Sequence, residues 1–74
     1  MAESKIMRLV VKELRREYPG RQVWAEQRRS GHVHYFVDGV LVTIGPFSPK
    51  SMEPSIRATL KFARANAPAE WRVS

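Results

Sequence analysis

Seventy-four residues hold one domain and no more, since a chain of this length buries only about 60% of the surface it exposes when unfolded. A composition 43% hydrophobic and 27% charged is that of a globular chain rather than a disordered one, and the lack of cysteine excludes a disulfide framework and any thiolate metal site. Thirteen Lys and Arg against seven Asp and Glu give a formal charge of +6 and a pI of about 10.6, a balance that attracts polyanions.

Over residues 4–18 the apolar positions Ile6, Met7, Leu9, Val10, Leu14 and Tyr18 recur at steps of three and four, which predicts a helix. Ser4 is its expected N-cap, and Pro19-Gly20 ends it. Lys5, Arg8, Lys12, Arg15 and Arg16 fall between the apolar positions and give the helix a basic flank. The same charges, with Glu3, break any signal-peptide core, and no apolar run approaches the ~20 residues needed to cross a bilayer. A cytoplasmic protein without membrane contact is the expectation.

Residues 22–28 (QVWAEQR) alternate and predict a first strand. HVHYFV (residues 32–37) and VLVTI (residues 40–44) are β-branched and aromatic runs joined by Asp38-Gly39, which predicts a hairpin with a type I′ turn. A regular two-residue hairpin pairs Val37 with Val40, Tyr35 with Val42 and Val33 with Ile44, and these residues are expected to form the buried face. His32, His34, Phe36, Leu41 and Thr43 are then expected on the opposite, open face.

GPFSPKSMEP, after Ile44, reads as a loop, with a second helix starting near residues 51–54 and ending about Asn66. Thr59, Ile56, Leu60 and Ala63 make its expected buried stripe, and Trp71 is expected to fold back over an edge. The whole is an α+β domain of order α-β-β-β-α over residues 1–74, core about 4–66, with both helices on one face of a three-stranded antiparallel sheet.

Three groups of residues carry candidate chemistry. His32, preceded by Gly31, stands at the start of an exposed strand, where an imidazole titrating near neutrality can serve as general acid/base. RNA cleavage needs little else: a base for the ribose 2′-OH and cations for the extra phosphate charge. Arg57, Lys61 and Arg64 stand at i, i+4 and i+7 on the second helix and, with Arg28, Arg29 and Lys50, form a candidate nucleic-acid-binding set. His34, Phe36 and Leu41 on the open face are a candidate partner surface. His-x-His lacks a third ligand nearby, so neither a metal nor another cofactor is expected.

The chain resembles the HicA toxins of bacterial toxin–antitoxin pairs, small messenger-RNA-cleaving proteins with a double-stranded-RNA-binding-like fold. The resemblance rests on Ser30-Gly31-His32-Val33-His34-Tyr35, the Asp38-Gly39 turn, the strand Val42-Thr43-Ile44, and Met52-Glu53-Pro54 followed by Ile56-Arg57-Ala58-Thr59-Leu60-Lys61-Phe62-Ala63. It spans residues 5–64. Two departures stand out: Ser30-Gly31 inverts the family's Gly-Ser order, and the loop after Ile44 has its own Pro-rich composition. The resemblance implies a metal-independent endoribonuclease with His32 catalytic, RNA as substrate, and a HicB-like antitoxin as protein partner, or a stand-alone phage or bacterial relative. Two further readings stay open beside it: a non-catalytic module holding RNA or DNA, and a protein-interaction module that kept the fold and lost the nuclease.

Overall fold

The computed structural model describes residues 4–71. The elements run α1 (Lys5–Glu17), β1 (Val23–Gln27), β2 (His32–Val37), β3 (Val40–Pro46) and α2 (Met52–Asn66), closed by a single 3-10 turn, Ala69–Trp71. The sheet is antiparallel in the order β1-β2-β3, and both helices pack on one side of it, α1 over β1 and β2 and α2 over β3. This is the α+β arrangement expected from the periodicities. No helix among the described residues is long and apolar enough to cross a membrane.

Local chemistry explains the boundaries. Ser4 caps α1, its Oγ accepting the Met7 N–H at 3.3 Å, and the Tyr18 N–H closes the other end on the Leu14 carbonyl at 2.9 Å. Asp38 and Gly39 both take positive φ, 51° and 84°, as a type I′ turn demands. The Asp38 carboxylate also accepts the Gln22 N–H and an Arg21 N–H, each at 2.8 Å, so the hairpin tip is fastened to the entry of β1. Those two donors hold the Asp38 carboxyl below its usual range. Trp71 folds back as expected, its ring meeting Tyr18 edge-on and lying under the Arg21 guanidinium, 4.3 Å from the ring centre.

The core is Ile6, Met7, Val10 and Leu14 of α1, Val23, Val33, Tyr35, Val37 and Val42 of the sheet, and Leu60 and Ala63 of α2, with Ile56 half-buried at its margin. Val33, Tyr35 and Val42 lie beneath the helices, as a regular hairpin predicts. Beyond Val42 the regular register fails. Phe36 pairs with Leu41 but Tyr35 pairs with Thr43, so Val42 is an extra residue, a β-bulge, and both Val42 and Thr43 face the core. From there every side chain of β3 is on the face opposite to that expected: Thr43 is buried, Ile44 pairs with His34 on the open face, and Gly45 turns inward opposite Val33. Val40, expected in the core, is exposed at the turn. The strand also extends to Pro46, through Gly45 and Pro46 that the sequence assigned to a loop.

Helix α2 explains the correction. A Cβ built on Gly45 would stand 2.7 Å from Thr59 Oγ1 and 3.2 Å from Thr59 Cγ2, so only a hydrogen fits under the helix there. The regular register would point Ile44 inward under α2. At the other end of α2 the Asn66 side-chain amide donates to the Val42 carbonyl at 2.9 Å, pairing a backbone group at the bulge itself.

This packing makes two expectations for stability. Gly45→Ala is expected to cost about 1–3 kcal/mol by overpacking against Thr59, and Thr59→Ala in the same chain should recover part of it; urea unfolding of the single and double variants measures the coupling. Tyr35 is fully buried, its hydroxyl has no protein partner among the described residues, and burial pushes its pKa up to about 12. The folded chain thus holds the phenol neutral where the unfolded chain ionises, near pH 10. Stability from this residue is complete below about pH 10 and lost as pH rises towards 12. Tyr35→Phe should flatten that alkaline slope and leave neutral-pH stability unchanged or higher, because it removes a buried hydroxyl that no protein group satisfies.

Candidate functional site

The open face of the sheet carries two cross-strand rows. Trp24, Phe36 and Leu41 form one, and Glu26, His34 and Ile44 form the next, each taking one residue from β1, β2 and β3 in turn. His32 pairs with Pro46 at the end of the sheet beyond them. Both histidines therefore stand clear of the helices. His32 is exposed and His34 half-buried.

Trp24 and Phe36 are stacked with ring centres 5.4 Å apart and planes 13° from parallel. At that separation the two rings form an offset stack, face towards face. The Trp24 Nε1–H donates to Glu26 at 3.3 Å. The apolar surface of this face is the Trp24–Phe36 pair together with Leu41 and Ile44, exposed to 42% and 48%. Sequence reasoning missed Ile44 and Trp24 as members of this face. Strand alternation alone places Trp24 with Phe36, but only the bulge places Ile44 there.

His32 is set by the tight turn before it. The Arg28 N–H donates to the His32 carbonyl at 2.8 Å and the Gly31 N–H to the Arg28 carbonyl at 3.1 Å, with Gly31 at φ 85°. The Phe47 N–H then donates to the Gly31 carbonyl at 3.0 Å, so the segment leading to Lys50 leaves from the same corner. Ring nitrogen Nδ1 of His32 lies 3.2 Å from Ser30 Oγ, which orients the imidazole, and Nε2 has no hydrogen-bond partner among the described residues. Ser30-Gly31 thus supplies both the backbone turn and the ring's hydrogen-bond partner.

The basic residues divide. Arg28 is paired with Glu26 at 2.9 Å, both side chains close to half exposed. Arg64 makes a two-pronged pair with Glu17 of α1, Nε to Oε1 at 2.9 Å with Nη2 on the other oxygen, and that pairing pushes its pKa further up. Arg64 therefore ties α2 to α1. Arg29, Lys50, Arg57 and Lys61 are exposed with no carboxylate partner among the described residues. The candidate binding set is in this way divided between the turn before His32 (Arg28, Arg29), the segment after Phe47 (Lys50) and the outer side of α2 (Arg57, Lys61). Among the described residues no group of three or more His, Asp or Glu is gathered as a metal site would require.

If Leu41 and Ile44 belong to a surface rather than to the core, replacing both by Ser should change unfolding free energy by no more than about 0.5 kcal/mol per site, as measured by urea denaturation. Val42→Ser, one residue away on the core face, is expected to cost several times more.

Comparison with protein-family models, with curated proteins and with solved structures returns no match to this chain.

Proposed function

We propose that this chain is a small RNA-binding protein that cleaves RNA, with His32 as general acid/base. The observation that carries the reading is the exposed imidazole of His32 beside a backbone-fixed turn bearing Arg28 and Arg29, in a chain of net charge +6. The resemblance to the HicA toxins supports the same assignment. In the proposed step Nε2 takes the proton of a ribose 2′-OH, and the 2′-oxygen forms a bond to the adjacent phosphorus. The bond from phosphorus to the 5′-oxygen breaks, the departing oxygen takes a proton from solvent water and Nε2 returns its proton to the solvent, leaving a cyclic phosphate and a 5′-hydroxyl. Arg29 and Lys50 have no carboxylate to satisfy among the described residues, so they are the groups to stabilise the added charge on the phosphate.

A second reading is favoured by a separate observation. The exposed Leu41 and Ile44 beside Phe36 and His34 make an apolar strip suited to a protein partner, a place a HicB-like antitoxin would fill. The two readings are compatible, because a protein seated on this strip would lie next to His32.

His32→Ala is expected to lower RNA cleavage by ~100- to 10,000-fold while RNA affinity and thermal stability stay close to those of the unmutated protein, since general acid–base help acts on the rate. His34→Ala should lower it far less, because His34 lies in the middle of the sheet beside Glu26 and Ile44, away from the turn that carries Arg28 and Arg29. Cleavage of a labelled RNA under single-turnover conditions checks both. An unmutated protein that cleaves no RNA and does not slow growth on expression would end the nuclease reading.

A further inference from the structure

Helix α1 carries a second cationic row outside the corner of His32 and away from α2. Lys5, Arg8, Lys12 and Arg15 follow one another at steps of three, four and three, which places them along a single line of the helix, and all four are exposed. The opposite side of the helix is the core, through the fully buried Ile6, Val10 and Leu14. The acids of α1 stand apart from this line: Glu13 pairs with Arg16, and Glu17 with Arg64 of α2. Among the described residues no carboxylate pairs with any of the four cations. Arg8, Val11, Lys12 and Arg15 line a half-open concavity of about 360 Å³. Arg15 is held at its edge by donating to the Val23 carbonyl at 3.3 Å, where β1 begins.

Apart from Arg15, which bonds β1 and lies in the last turn of α1, no side chain of this row makes a hydrogen bond or ion pair within the fold among the described residues. Like charges three and four residues apart oppose helix formation, and Lys5 sits in the first turn of α1, where the helix dipole disfavours a cation. An anionic ligand reverses both penalties. From Lys5 to Arg15 the row is about 15 Å long at 1.5 Å per residue, long enough to meet more than one phosphate of a nucleic-acid strand. A lipid surface fits less well, because the apolar side of α1 is already spent in the core and leaves nothing to enter the bilayer.

We infer that the outward row of α1, Lys5, Arg8, Lys12 and Arg15, with the concavity that Arg8, Lys12 and Arg15 line, binds the phosphodiester backbone of an RNA strand. The inference rests on the RNA-binding reading above and adds to it a second surface, on α1, that meets the strand's phosphates. On α2 the matching row is shortened, because Glu17 engages Arg64 and leaves Arg57 and Lys61.

The test uses the whole chain and a labelled 20-nucleotide single-stranded RNA, with affinity followed by anisotropy from 50 to 200 mM salt. The variants are Arg8→Gln/Lys12→Gln and, separately, Arg57→Gln/Lys61→Gln, each checked for unchanged melting temperature; Arg15 is left alone because it also bonds β1. Each phosphate that is no longer neutralised lowers the log–log salt slope by ~0.7 on a single strand. The α1 pair should therefore lower the slope by ~1.4, so that its affinity falls about 7-fold less than that of the unmutated protein over this salt range. The α2 pair should change the slope less. An unchanged slope in the α1 pair, while the unmutated protein binds RNA with a steep slope, overturns this inference and leaves RNA binding standing. An unmutated protein that binds no RNA overturns the RNA reading itself, and the inference with it. Stronger, α1-dependent binding to phosphatidylserine vesicles than to RNA would overturn the inference in favour of a lipid surface.

Discussion

One extra residue in β3 sets the arrangement of nearly everything else. Because Val42 is bulged opposite the Phe36/Tyr35 step, Val42 and Thr43 enter the core together and Gly45 comes to lie under α2. The helix then approaches β3 closely enough that Thr59 would touch any side chain at position 45, and Asn66 at the far end of the same helix bonds the Val42 carbonyl. Bulge and helix thus hold each other in place. The arrangement has a cost, since Thr43 Oγ1 is buried without a protein partner among the described residues.

The same bulge shapes the outer surface. By turning Ile44 over, it completes the apolar strip of Phe36, Leu41 and Ile44 beside His34 on the side of the sheet that no helix covers. A regular hairpin would have put Thr43 there and left a more polar face. Core packing and the character of the candidate partner surface are therefore two results of one backbone feature. A substitution at Gly45 that disturbed the helix would be expected to disturb the open face as well.

Charge is sorted by the fold in a comparable way. The sequence holds thirteen basic residues, but ion pairing separates those that join elements from those left to face solvent. Arg64 ties α2 to α1, Arg21 ties β1's entry to the hairpin tip, and Arg28 is engaged by its neighbour Glu26. Surface pairs of this kind add little stability each, yet they remove a guanidinium from the pool available to an anion. Among the described residues, what remains is concentrated on α1, at Arg29 beside the turn before His32, at Lys50, and at Arg57 and Lys61.

The sequence by itself determined the element order, the cap at Ser4, the turn at Asp38-Gly39 and the core residues of α1 and β2, because each depends on interactions within a few residues or on a simple periodicity. It also placed His32 and His34 on the uncovered face, since β2 is regular throughout. It could not reveal that β3 changes face after Val42, because Val-Leu-Val-Thr-Ile alternates acceptably in either register. The choice was made by α2, from more than ten residues away in the chain, through the space at Gly45 and the bond from Asn66. Nor could a tally of charges tell Arg64 from Lys61: one lies within reach of Glu17, 47 positions earlier in the chain, and only the packing of the two helices brings them together.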